Sequence, residues 1–156
     1  LPDVRGAHLR VAPRADRGTE RNGMSDTLMQ VELVAADRLV WSGEARMVIA
    51  RTTEGDVGVL PNHAPMLSLM VDGIVDITTG DGETWIAAVD AGFLSVANNR
   101  ISVLAEHAEM SHDIDLEKAR QDLERAQSAG EDGDEAADEV ARAWAEARIR
   151  AAEKAS

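Results

Sequence analysis

Four histidines, 29 acidic residues and no cysteine limit the chemistry open to this 156-residue chain. Without cysteine there is no thiolate nucleophile, no disulfide and no Cys-ligated zinc, a usage that fits a reducing compartment. Ser95, Asp90 and His63 have the residue types of a hydrolytic triad, in which histidine takes the serine proton and a carboxylate orients the imidazole. The glycine-flanked elbow that exposes such a serine is missing around Ser95, whose neighbours are Leu94 and Val96. No glycine-rich loop ends in Lys-Ser or Lys-Thr, so a phosphate cradle is missing too. His63 has no second ligand beside it at metal-binding spacing and reads as a loop histidine bonded to nearby backbone. His107 and His112 flank the start of the tail and leave few general bases elsewhere. Catalysis by this chain alone is not expected.

Charge narrows the partners. The formal net charge is −13, spread as +2 over residues 1–23, −9 over 24–110 and −6 over 111–156. A nucleic-acid binder needs a basic footprint, and an acidic chain is repelled by anionic lipid. No run approaches the roughly 18 apolar residues that span a bilayer. Membrane association is therefore expected only through a protein partner.

Any surface that meets such a partner must be positioned by the elements, and three kinds of patterning divide the chain. Residues 1–23 follow neither a 2-residue nor a 3.6-residue period and are rich in Arg, Gly and Ala, which predicts a disordered lead or a start codon placed too early. From Met29 to Glu106 the pattern is short strands. Met29, Val31 and Leu33 alternate, as do Met47 and Ile49, then Trp85, Ala87 and Val89, then Ile101 and Val103. Turn signals recur at Ser42-Gly43, Glu54-Gly55, Asp72-Gly73, Gly80-Asp81-Gly82 and Asn98-Asn99, the last two suited to tight hairpins. Such punctuation predicts an antiparallel β-sandwich over 24–110. With aromatics at 3% the core must be aliphatic, and Trp41, Trp85, Met47, Met66 and Met70 read as packing residues.

After Ala108 the period becomes helical. Leu116, Ala119, Leu123 and Ala126 share one face, with Asp113 or Asp115 as cap. Ser128 to Asp134 contains two glycines and breaks the pattern. A second stripe runs through Ala137, Val140, Trp144, Ala147 and Ala151, with Asp138–Arg142 and Glu146–Arg150 as i,i+4 pairs. The expected tail, residues 111–156, is an antiparallel two-helix hairpin whose alanine seams bury little area.

The stretch Thr52-Thr53-Glu54-Gly55-Asp56-Val57-Gly58-Val59-Leu60-Pro61-Asn62-His63-Ala64-Pro65-Met66 closely resembles the signature loop of bacterial F-type ATP synthase epsilon subunits. Val89-Asp90-Ala91-Gly92-Phe93-Leu94-Ser95-Val96 is similar to that family's small-residue approach to a Gly-Phe-Leu strand. Val103-Leu104-Ala105-Glu106, followed by Ile114-Asp115-Leu116-Glu117-Lys118-Ala119, looks like its Ile-Asp-x-x-Arg-Ala helix start. The three come in family order and cover residues 27 to about 127, with the second helix matching only in type. Read physically, Gly55 and Gly58 permit turn dihedrals and close approach, and Pro61 and Pro65 stiffen the loop.

The resemblance implies a non-catalytic rotor subunit of the central stalk, peripheral on the cytoplasmic face of the bacterial plasma membrane. Its implied partners are the gamma subunit, the membrane c-ring, and the alpha/beta catalytic head when the tail extends. Glu54, Asp56 and His63 would meet the ring, and Arg142, Arg148 and Arg150 would meet the head. Six second-helix acids, Asp134, Glu135, Asp138, Glu139, Glu146 and Glu153, outnumber the second-helix cations, which argues against strong inhibition of hydrolysis. In family members that bind ATP the matching positions are Glu109, Ile114, Asp115, Lys118, Ala119 and Arg125. Lys118 stands where the family has an arginine fork, so ATP is expected to be a weak regulatory ligand at most. The competing expectation is a free-standing β-sandwich that senses nucleotide.

Overall fold

The computed structural model describes residues 27–129 and 135–155; segment 1–23 and most of the glycine break lie outside the described residues. Eight strands come first: β1 Met29–Ala35, β2 Arg38–Thr52, β3 Gly55–Val59, β4 Met66–Thr79, β5 Thr84–Val89, β6 Gly92–Ala97, β7 Arg100–Ala105 and β8 Ala108–Met110. A 3-10 turn at Ser111–Asp113 leads into helix α1, Leu116–Ala129, and then α2, Glu135–Ala155. The expected sandwich followed by two helices is what forms.

Two long strands hold the sandwich together by changing layers. The first half of β2 pairs with β1, and its second half pairs with β3 and with the second half of β4. The first half of β4 pairs with β6, and its second half with β5. One layer is thus β2–β1–β7–β6–β4, and the other is β3–β2–β4–β5–β8. One pairing departs from the antiparallel expectation, since β1 and β7 run parallel.

Alternation carries the core. Met29, Val31 and Leu33 of β1, Leu94 and Val96 of β6, and Ile101 and Val103 of β7 are all buried. Each large aliphatic side chain so enclosed stabilises the fold by about 1.5–3 kcal/mol. In β2 the buried apolar residues are Ala45, Val48 and Ala50, while the alternating Met47 and Ile49 are half-buried on the other face. Trp41 and Trp85 pack against the core with ring centroids 6.2 Å apart.

Turn signals are read correctly at three places and wrongly at two. Asn98 and Asn99, with φ of 53° and 58°, form the two-residue hairpin between β6 and β7. Gly82 and Gly55, with φ of 93° and 113°, turn β4 into β5 and β2 into β3. Ser42-Gly43 and Asp72-Gly73 are not turns but lie inside β2 and β4. Gly43 leaves room for the Trp41 ring, and Asp72-Gly73 sits where β4 passes from β6 to β5. Gly58 is also corrected: it lies in β3 with an ordinary φ, and a Cβ there would meet open space.

The helices cover one layer only. α2 packs on β4 and β5, and α1 packs on α2. Ala147 and Ala151 meet Ile86 and Ala88, with Ile74, Ile114 and Trp144 around them. β5 is therefore buried on both faces, which is why Ile86, Ala87, Ala88 and Val89 form an unbroken buried run.

Candidate functional site

The outer face of the other layer is open, and it is apolar where it should be polar. Strand register places Leu39 beside Val34, Val34 beside Leu104, Leu104 beside Phe93, and Phe93 beside Leu69. Paired residues share a face, so these five side chains form one row across β2, β1, β7, β6 and β4. Leu39 and Leu69 are 55% exposed, Phe93 46% and Leu104 45%. The next row, Ser42, Glu32, Ser102 and Ser95, is polar except for its last member, Leu67. A contiguous apolar row with a polar border marks a docking surface. Sequence reading missed it. The signal was there in Phe93-Leu94 and Val103-Leu104, where both phases of the alternation are apolar.

Glu54, Asp56 and His63 are strung along a different edge. Among the described residues β3 pairs with β2 alone. Glu54 and Asp56 stand at its start and His63 beyond its end, so about 17 Å of strand separates them. Thr52, buried, organises the start: its hydroxyl accepts from the Glu54 N–H at 3.1 Å and donates to the Gly55 carbonyl at 2.8 Å. Arg51 donates to Asp56 at 3.0 Å, and that hydrogen bond and charge raise the guanidinium pKa. At the far end Asn62, with φ 70°, donates its backbone N–H to the Asn99 side-chain oxygen at 2.6 Å, and the Asn99 side-chain amide donates back to the Asn62 side-chain oxygen at 3.2 Å. The His63 ring donates to the Ala64 carbonyl at 2.7 Å. The backbone-bonded reading of His63 holds. Asp90, meanwhile, bonds the ring of His107 at 2.7 Å, so the three triad residues are not bonded to one another.

The tail residues converge on one carboxylate. Asp115 caps α1 by accepting the Lys118 N–H at 3.1 Å, Ala119 is fully buried, and Ile114 packs beside Ile86 and Ala88. Asp122 receives Lys118 at 3.4 Å, Arg125 at 2.9 Å and Arg148 at 3.1 Å. Arg148 also donates to Glu109 on β8 at 2.6 Å. Burial opposes ionisation of Asp122, but hydrogen bonds from Arg125, Lys118 and Arg148 outweigh it and hold the carboxyl below its usual range. These bonds therefore persist as pH falls through the ordinary carboxylate range and are lost only below it.

On α2 the expected seam shifts. Ala137 and Val140 are exposed, and the buried face is Ala145, Ala147, Arg148 and Ala151, with Trp144 stacked near His107 at 5.7 Å. Val140 lies a turn before Trp144, outside the cluster that packs on the strands. The expected Asp138–Arg142 pair does not form: Arg142 bonds Glu139, three residues back. One Asp138 oxygen is buried without a hydrogen-bond partner. Arg150 is exposed and lines a cavity of about 330 Å³ with Arg51, Asp56, Asp76 and Lys154.

Residues 28–111 match a family described as the ATP synthase delta/epsilon chain, β-sandwich domain. The chain is similar to the ATP synthase epsilon chain of Streptomyces avermitilis, at 51% identity over 79% of this chain and 94% of the relative. It is similar to that of Rhodococcus jostii at 49% identity, over 81% of this chain and 98% of the relative. Among solved structures, one chain of the Euglena gracilis mitochondrial ATP synthase OSCP/F1/c-ring assembly aligns with a TM-score of 0.70. That alignment spans 98% of this chain and 96% of the other at 23% identity, and it bears on the fold alone.

Proposed function

The chain belongs to the ATP synthase epsilon family, and on that premise we propose that it works as a rotor adaptor, docking on the gamma subunit through one sandwich face and on the membrane c-ring through one sandwich edge. It is a subunit of the synthase and not an enzyme by itself. The observation that carries the docking is the open apolar row Leu39, Val34, Leu104, Phe93 and Leu69. The tail already covers the outer face of the other layer, so the row is the sandwich face left for gamma. A sandwich whose layers share β2 and β4 is a stiff spacer, which is what transmission of torque between two partners requires.

No helix of the described residues is long and apolar enough to cross a membrane. With a net charge of −13, the chain reaches the cytoplasmic face of the plasma membrane as a peripheral part of the complex. The exposed β3 edge, with Glu54 and Asp56 at one end and His63 at the other, is the ring-facing element. A cysteine at Glu54 or Asp56 is expected to crosslink to a cysteine in a ring loop of the assembled synthase. Crosslinks to gamma alone would assign the edge to the wrong partner.

ATP is a weak ligand in this reading. Lys118, Arg125 and Arg148 already bond Asp122, and Arg148 also bonds Glu109, so a polyanion must displace existing bonds. An ammonium in place of an arginine fork also forfeits a parallel hydrogen bond. That loss is about 1.5–3 kcal/mol, or roughly ten- to a hundredfold in affinity. Calorimetry of the isolated chain should detect no low-micromolar binding, and Lys118→Arg should improve it. Low-micromolar binding by the unaltered chain would overturn this and favour the nucleotide-sensing alternative. Of the three arginines expected to meet the catalytic head, Arg150 is exposed and Arg142 is half-buried and bonded to Glu139 of its own helix, whereas Arg148 must first leave its two carboxylates.

A further inference from the structure

The open face of the sandwich carries one charge close to its apolar row. Register sets Ser42 beside Glu32, Glu32 beside Ser102, and Ser102 beside Ser95, and of these four only Glu32 is ionisable. Glu32 stands two residues from Val34 along β1, so it lies on the same face about 7 Å from the apolar row. It is half-buried, and among the described residues its carboxylate takes part in no hydrogen bond or ion pair. The row beyond it differs. There the Gln30 side-chain amide donates to Glu44 at 3.0 Å, so that acid already has a partner. Arg100 is paired in register with Gln30 and is exposed, yet it forms no ion pair with Glu32.

A partner that covers the apolar row must also strip water from its border. A carboxylate desolvated without a counter-charge opposes docking, whereas one met by a cation fixes register and excludes partners that lack it. The serines on either side of Glu32 carry no charge and cannot supply that counter-charge from within the chain. An apolar row sets no direction along itself, so a single charge at a defined distance from it is what can orient the partner.

We propose that Glu32 is the specificity-determining residue of the open face, and that the gamma surface docked there presents a basic side chain to it. This rests on docking of that face on gamma, and it adds the chemistry the partner must offer. The sign of one substitution decides it. If gamma supplies a cation, Glu32→Gln leaves that cation covered and unpaired, and binding weakens. If gamma supplies none, the same change removes a desolvated charge, and binding holds or tightens. The experiment titrates isolated gamma subunit, at low and at physiological salt, with the full chain, Glu32→Gln, Glu44→Gln and Phe93→Asp. Glu32→Gln should bind about tenfold more weakly or worse at physiological salt, and its affinity should depend less steeply on salt than that of the unaltered chain. Glu44→Gln makes the same change in net charge at an acid already held by Gln30, and should stay within about twofold. Unchanged or tighter binding by Glu32→Gln would overturn the proposal, and so would equal weakening by Glu44→Gln, which would reduce the effect to net charge. The Phe93→Asp arm separates the two levels. Its loss of binding beside an unaffected Glu32→Gln would sink the role of Glu32 alone, while its undiminished binding would sink the docking face and this proposal together.

Discussion

Gly92→Ala is expected to destabilise the sandwich more than any other glycine-to-alanine change among the described residues. A Cβ at Gly92 would lie 2.0 Å from the Leu104 carbonyl oxygen and 2.9 Å from the Ala105 Cα. Both obstacles are backbone, so no side chain can swing aside. Gly92 pairs with Ala105 on one side and Met70 on the other, both buried. Relief therefore requires prising β6 from β7 at the edge of the core. Overpacking typically costs about 1–3 kcal/mol, and with backbone on both obstacles Gly92→Ala belongs at the upper end of that range, a large share of the stability of a small domain. Gly43→Ala meets only the Trp41 ring, 2.8 Å away, which can tilt, and Gly58→Ala meets nothing within 4 Å. Urea midpoints should rank Gly58→Ala near the unaltered chain, Gly43→Ala lower, and Gly92→Ala far below both. A Gly92→Ala midpoint within error of the unaltered protein would contradict the close approach of these strands.

Much of this architecture is legible from local pattern, because local physics decides it. β1 announces itself through Met29, Val31 and Leu33, since only a period of two puts all three inside. The hairpin at Asn98-Asn99 is legible because two adjacent positive φ values favour asparagine and glycine. α1 starts where Asp115 can cap it. What local pattern does not reveal is where a long strand changes layers. Gly43 and Gly73 look like turn residues, yet each sits in a continuous strand, one sheltering an indole and the other beside Arg51. Nor does the pattern say which neighbour covers an outward apolar residue. Phe93 and Ile86 are both apolar, but α2 covers Ile86 and leaves Phe93 open. Arg148 is the extreme case. As a cation in an acid-rich helix it reads as a surface residue, and only the tertiary placement of Glu109 and Asp122 makes it a buried one.

The outward row carries the second large effect. Phe93 is exposed in the isolated chain and its side chain contributes nothing to the core, so Phe93→Asp should leave the urea midpoint nearly unchanged. At a docked interface the same change forfeits the burial of an aromatic ring, about 1.5–3 kcal/mol, and adds a desolvated, unpaired carboxylate. Together these should weaken binding a hundredfold or more, which corresponds to about 2.8 kcal/mol. Val140→Asp is the matched control. It places the same charge at an exposed apolar residue of α2, remote from the row, and should leave docking unaltered.

Docking through the open face is tested most directly by titrating isolated gamma subunit with the unaltered chain, Phe93→Asp and Val140→Asp, each first shown to unfold at its expected urea midpoint. The expected result is tight binding by the unaltered chain and by Val140→Asp, with binding by Phe93→Asp at least a hundredfold weaker. Undiminished binding by a folded Phe93→Asp, or loss of binding in Val140→Asp alone, would contradict docking through the open face of the sandwich.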